Sequence, residues 1–184
     1  MEKCEGDSRG MSASTPEVTI RPLRAADAAP IADAFAAIGW SKPREQYERY
    51  FAEQEAGERQ VWVAEVDGRF AGYVTLSWRP AYPPFRDEGI PEIQDLNVLP
   101  DHRRRGIGAA LLDAAESAAG ERGPMVGIAV GLGGDSGAAQ RLYVRRGYVP
   151  DGNGIAWRGR TVRFGEQVAV DDDLVLWFTR RVRG

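Results

Sequence analysis

Residues Ile90–Ala119 read IPEIQDLNVLPDHRRRGIGAALLDAAESAA, and the rest of the chain is organised around them. A strand-like run rich in polar residues ends at Leu99-Pro100. A short basic turn closing in Arg103-Arg104-Arg105-Gly106-Ile107-Gly108 then opens an Ala/Leu-rich helix. By chemistry this is a phosphate cradle. Glycines let backbone approach an anion, amides at a helix start point at it, and the helix dipole and the arginines favour negative charge there. The helix pattern runs from about Arg104 to Arg122, with Ile107, Leu111, Leu112, Ala115 and Ala119 as its buried stripe and Asp113 and Glu116 pointing the other way.

Upstream, Val18, Ile20 and Pro22 read as a first strand. Asp27 is placed to cap a helix carrying Ile31, Ala34, Phe35 and Ile38, which Gly39 ends. A second helix, roughly 43–56, puts Tyr47, Tyr50 and Phe51 on one face, as packing or as the wall of a pocket. Asp67-Gly68 between two alternating apolar runs, Gln60–Val66 and Arg69–Trp78, predicts a type I′ hairpin. The four prolines of 79–91 predict a loop carrying Tyr82 and Phe85, either exposed to touch a substrate or packed over the domain edge. Downstream come a strand at Met125–Val130, the loop Gly131–Gly137, a helix with Ala139, Leu142, Tyr143 and Arg146, a strand opening at Gly147-Tyr148, and a last strand at Asp173–Arg181. The resulting order, β-α-α-β-β-β-α-β-α-β-β, predicts an α/β fold with a mixed sheet covered by helices. Residues 1–15 have the composition of a mobile tail, and 16–184 are expected to form one domain.

The phosphate cradle has several potential users. A P-loop requires Lys and a hydroxyl residue directly after its last glycine, and neither follows Gly108. A dinucleotide fingerprint requires GxGxxG after the first strand, whereas Leu111 stands three residues after Gly108 and four strands come first. Gly131-Leu132-Gly133 is a second partial match, with Ser136 in the third glycine position. Nucleic acid is a poor fit, because the chain has net charge -3 and pI about 5.3 and three arginines make few phosphate contacts.

Arg103-x-x-Gly106-x-Gly108, between a strand ending LNVLP and an amphipathic helix, resembles the R/Q-x-x-G-x-G/A signature of the GCN5-related N-acetyltransferases. Ala139-x-x-Leu142-Tyr143-x-x-x-Gly147-Tyr148 is similar to a second segment of that family, at the expected distance downstream. The resemblance implies acetyl-CoA as co-substrate. Its pyrophosphate would lie on the amides of Arg103, Arg104, Arg105, Gly106, Ile107, Gly108 and Ala109, and its pantetheine arm along Asn97 and Val98. Tyr143 aligns with the tyrosine that protonates the departing thiolate. Glu92 aligns with the general base of some members, with Asp95 as its rival. Ser136 stands where many members carry Asn. It or Asp135 is expected to cap the following helix.

The implied activity is transfer of acetyl to a small-molecule or peptide amine by direct attack, with a non-catalytic acyl-CoA binding module as the alternative. Dimerisation is common in the family. Polar residues in a central strand are costly to bury, and a site facing Glu92, Gln94, Asp95 and Asn97 explains them. His102 reads as a surface residue and Asp171–Asp173 as a solvated turn. Acceptor specificity is expected from residues 40–56, 79–91 and 151–170.

Composition bounds the rest. Hydrophobic content of 43% and charged content of 28% over 184 residues describe a globular chain. Cys4 is the one cysteine and His102 the one histidine, so a cysteine cluster, a multi-histidine metal site and an internal disulfide are excluded. No metal is expected. With no apolar run near the ~20 residues of a membrane span and no signal-like start, the expected place of work is the cytoplasm.

Overall fold

A computed structural model describes residues 17–182. The expected mobile tail and Cys4 lie outside them. Strand β1 (Val18–Pro22) leads through a 3₁₀ turn into helices α1 (Ala28–Ala36) and α2 (Arg44–Glu55), and then into the hairpin β2 (Arg59–Val66) and β3 (Arg69–Ser77). Asp67 and Gly68 at its tip have φ of 50° and 74°, the paired left-handed geometry of a type I′ turn. Asp27 does not cap α1 through its side chain. Its carboxylate instead accepts the Arg24 N–H at 2.7 Å and the Arg21 guanidinium, which locks the 3₁₀ turn in front of the helix.

Helix α3 (Pro83–Glu88) follows, then β4 (Glu92–Val98), α4 (Ile107–Arg122), β5 (Met125–Gly131), α5 (Gly137–Arg145), β6 (Val149–Trp157), the short β7 (Arg160–Thr161) and β8 (Leu174–Arg181). The expected order holds except for two additions, α3 and β7. All eight strands join one mixed sheet in the order β1-β2-β3-β4-β5-β8-β6-β7. Strand alternation sends Trp62, Ala64, Val74 and Ile93 to one face against Ile107, Leu111, Leu112 and Tyr143 of α4 and α5. Val61, Val63 and Tyr73 go to the other face against Ile31, Phe35, Tyr47 and Tyr50 of α1 and α2. No described helix is long and apolar enough to cross a membrane.

Prolines that predicted a loop at 79–91 instead start α3. Pro83 and Pro84 occupy its first turn, where no N–H is needed, and Gly89 at φ 68° ends it. Of the two expectations for Tyr82 and Phe85, packing holds: they are buried, at 5% and 1%. Tyr82 stacks on Trp177 at 4.1 Å between ring centroids, and Phe85 meets the same indole edge-on at 5.3 Å. The Phe85 ring lies over Gly127 of β5, where a Cβ would overlap it. Gly127→Ala is therefore expected to destabilise the fold by ~1–3 kcal/mol through overpacking. Thermal melts should show the loss, and Phe85→Leu in the same chain should recover part of it. An unchanged melting temperature would mean that α3 does not pack here.

Two departures from regularity prepare the site. Parallel pairing of β4 with β5 is confined to Glu92↔Gly127 and Ile93↔Ile128. Beyond Ile93 the strands part, while β5 keeps its other neighbour, β8, as far as Gly131. On its other edge β4 bulges. Thr75 pairs with Gln94 and Tyr73 with Asn97, leaving Asp95 and Leu96 opposite Val74. Asp95 takes φ 49° to make the bulge. Gly72 faces the resumed strand, and a Cβ there would come within 2.5 Å of the Asn97 carbonyl oxygen.

Candidate functional site

The helix after the basic turn starts three residues later than its pattern placed it. Arg104 and Gly106 take φ of 61° and 80°, so the helix starts at Ile107 and not near Arg104. Its first intrahelical bond runs from Ala110 N–H to the Gly106 carbonyl at 3.0 Å. The N–H groups of Ile107, Gly108 and Ala109 are left without intrahelical acceptors. Gly108 and Ala109 border a groove of about 770 Å³ whose lining also includes Asn97, Val98, Arg103, Arg104 and Gly106 from this stretch and Ser136, Ala139, Leu142 and Arg145 from α5 and the loop before it. A free amide row with Arg103, Arg104 and Arg145 suits an anionic head. The Val98, Ala139 and Leu142 wall suits an apolar arm, so the donor set fits an acyl-CoA.

The sequence-predicted groove residues do not all enter in the same way. Ile107 turns its side chain into the core at 1% exposure, and both Ile107 and Arg105 are absent from the lining. Arg103 donates from Nε to the Val98 carbonyl at 3.1 Å, with its guanidinium 5.6 Å from the Trp40 ring centroid. Neither Ser136 nor Asp135 caps α5: Ser136 Oγ instead approaches Asp135 Oδ1 at 3.4 Å. Gln140 does the tethering, donating to the Gly131 carbonyl at 2.9 Å. His102 lines the groove instead of facing bulk solvent, and its Nδ1 is buried with no partner among the described residues.

A second cavity of about 370 Å³ occupies the gap between β4 and β5, lined by Tyr50, Glu92, Gln94, Asp95, Leu96, Ala129 and Tyr143 among others. Glu92 is 5% exposed. Burial pushes its carboxyl from 4.5 up to about 7, although Gln94 and the Arg59 charge pull the other way. Arg59 is itself held, donating from Nη1 to Gln94 Oε1 at 2.8 Å and Thr75 Oγ1 at 2.7 Å. Asp95 is committed differently. It accepts from the Tyr50 hydroxyl and from Gln46 Nε2 at 3.2 Å, with Lys42 Nζ at 3.9 Å. Tyr143 is 5% exposed, its hydroxyl pushed up to about 12 by burial, and among the described residues that hydroxyl has no hydrogen-bond partner. One wall thus holds a carboxyl able to exchange its proton near neutrality, and the cavity is also lined by a phenol that keeps its proton.

A third cavity, of about 480 Å³, is lined by Lys42, Asp95, Leu96, Asn97, Asp135, Asp171 and Asp172 among others. Asp171–Asp173 form the exposed turn expected of them, and Asp171 and Asp172 border this pocket as well. Leu96 borders all three cavities. The 40–56 stretch expected to shape acceptor specificity supplies Trp40 and Lys42 to the lining and Gln46 as a partner of Asp95. Arg59, at the start of β2, is the residue that sequence reasoning missed, and the Tyr50 ring it lies over was the available signal. Residues 79–91, expected to shape acceptor specificity, line none of these cavities, because α3 is packed on the sheet.

A mixed sheet split at its parallel pair, with an amide-lined helix start beside the split, defines an acetyltransferase fold. The chain belongs to the GNAT acetyltransferase family, whose model, described as Acetyltransferase (GNAT) family, matches residues 27–148. It is 30% identical over 147 residues to YhfO of Bacillus subtilis (strain 168), named an uncharacterized N-acetyltransferase, covering 73% of this chain and 91% of that one. Its fold is similar to an N-acetyltransferase from Staphylococcus aureus Mu50, at TM-score 0.67 and 16% identity over 91% of this chain and 99% of that one. It is also similar to yncA of Salmonella typhimurium, solved with its cofactor acetyl-CoA, at TM-score 0.65 and 21% identity over 90% and 94% of the two chains.

Proposed function

We propose that this chain transfers an acetyl group from acetyl-CoA to a primary amine by direct attack, residues 16–184 acting as one catalytic domain. The observation that carries the reading is the meeting, at Leu96, of an amide-lined anion groove with a cavity that holds both Glu92 and Tyr143. When bound, acetyl-CoA supplies the activated acyl group as a thioester. Arg103, Arg104 and the amides through Ala109 hold its phosphates, and Asn97 and Val98 receive its arm along the strand edge that β5 leaves open. Glu92 takes the proton from the acceptor amine, directly or through one water. Asp95, bound by Tyr50 and Gln46, shapes the acceptor wall instead of acting as base. Tyr143 gives its proton to the departing sulfur. Holding amine and thioester together in a cavity screened from bulk water supplies the remaining advantage.

Release of free CoA thiol across a panel of polyamines, amino acids and peptide N-termini tests the activity itself. Release with none of them, from protein that binds acetyl-CoA, would favour the non-catalytic reading. The base assignment has its own test. Below about pH 7 the Glu92 carboxyl retains its proton and cannot accept another, so kcat/KM should rise with pH to a plateau, with a midpoint near 7. Glu92→Gln should abolish that limb, and persistence of the same midpoint in the variant would remove Glu92 as base. The same group opposes folding as pH rises. The unfolded chain ionises Glu92 near 4.5 while the folded chain holds the proton to about 7, so stability falls through that window.

A further inference from the structure

The chain contains only two lysines, Lys3 and Lys42, and Lys42 is the one among the described residues. Wherever else this fold places a cation in a partly buried ion pair it uses arginine, as at Arg21, Arg59 and Arg146. A guanidinium stays protonated and is a poor nucleophile, whereas a lysine amine can lose its proton and attack. The exception stands at the site. Lys42 lies between α1 and α2, its side chain 19% exposed, on the wall of the cavity that also includes Leu96 and Asn97. Its contacts are long: Nζ is 3.3 Å from the Tyr73 hydroxyl and 3.9 Å from Asp95 Oδ1, with the Phe35 and Tyr73 ring centroids each at 5.8 Å. These distances mark an amine that is collected by its surroundings but not locked by a tight bond.

We propose that Lys42 is a self-acetylation site of this enzyme, a reading that rests on acetyl-CoA being its acyl donor. Nζ first gives a proton to water. Its lone pair then forms the C–N bond to the acetyl carbon, the C–S bond breaks and the sulfur leaves with that electron pair, and the second proton that the nitrogen sheds is the one the sulfur gains to become free CoA thiol. No oxidant or further reactant is needed. The product is a neutral amide, so the cavity that set one ammonium against Asp95, Asp135, Asp171 and Asp172 retains only the carboxylates. The modification thereby raises the attraction of that cavity for a cationic acceptor.

The test incubates the full chain with acetyl-CoA and no acceptor, then reads intact mass and maps peptides. The expected result is a gain of one acetyl group, on the peptide spanning Lys42, with a first-order rate constant independent of protein concentration. It should persist in Lys3→Arg and be absent from Lys42→Arg and from chain unfolded in denaturant. Acetylation of Lys3 or the N-terminal amine alone, or equal labelling of the unfolded chain, overturns the proposal. So does an apparent rate constant that rises in proportion to protein concentration, which would mean transfer between copies. Calorimetric titration with acetyl-CoA and the amine panel, run on the same protein, separate the two readings. Cofactor binding and amine acetylation with Lys42 unmodified sink this inference alone, whereas absence of cofactor binding sinks the enzyme reading and this one together.

Discussion

Tyr143→Phe is expected to lower kcat by ~10²- to 10⁴-fold, the range for a positioned general acid, while leaving acetyl-CoA affinity close to that of the native chain. A hundredfold loss corresponds to ~2.7 kcal/mol of barrier. The substitution is clean because the phenol oxygen makes no hydrogen bond among the described residues, so its removal orphans nothing. The phenyl ring keeps its contact with Tyr148, whose ring centroid is 5.8 Å away. With its hydroxyl pushed up to about 12, Tyr143 holds its proton throughout the working range. It should produce no loss of activity on the basic side until pH approaches that value. A phenol this weak gives up its proton readily only to a sulfur that is also deprived of water, which is what a site in the strand gap supplies. Binding measured by calorimetry beside steady-state rates separates the two parameters. An unchanged kcat would transfer the acid role to solvent or another group.

The parts of this fold that were readable in sequence are those where one residue type has one job. Asp67-Gly68 permits the left-handed turn, Gly106 permits the entry to α4, and the alternation in β2 and β3 sends each side chain to a known face. The misreadings occurred where one residue type serves two purposes. Pro83 and Pro84 look like loop formers until they are seen as the first turn of a helix, and the aromatics beside them then become core. Asp95 reads as a site-facing strand residue and a candidate base, but nothing local announces that β4 will bulge there and commit its carboxylate to other partners. Its partners Gln46 and Tyr50 lie more than forty residues upstream. Of the candidate site, the anion groove was legible because its donors are consecutive in sequence. The acceptor wall was legible only in pieces, the 40–56 stretch and Asp95, since Lys42, Tyr50, Asp95 and Asp171 are brought together only by tertiary packing.

Glu116 is the sharpest case, and it sets the other large expected effect. A carboxylate on an Ala/Leu helix belongs by pattern to the solvent face, yet Glu116 is 7% exposed. Helical periodicity locates a face without reporting whether cations wait beneath it. Here they do. Arg146 donates from Nε at 3.0 Å and from Nη2 at 2.6 Å, the Tyr148 hydroxyl donates at 2.9 Å, and the Arg180 guanidinium completes the cluster. The carboxylate thus ties α4, which opens the anion groove, to the end of α5, which carries Tyr143, and to β8. Glu116→Ala leaves two arginines facing a vacated pocket and should cost ~3 kcal/mol, the low end of the range for breaking a buried pair. The low end applies because the Arg146 and Arg180 side chains keep 16% and 30% exposure, and water takes over part of the lost solvation. Glu116→Gln keeps the volume and an acceptor for Tyr148, so its loss should be about half as large. Urea denaturation at neutral pH measures both. Equal midpoints for Glu116→Ala and the native chain would show the cluster to be solvated and energetically idle. If the tie also sets the Tyr143 phenol, Glu116→Gln should lower kcat under conditions where the variant remains folded, with its KM for acetyl-CoA little changed. A purely structural role would leave kcat alone until the fold itself gave way.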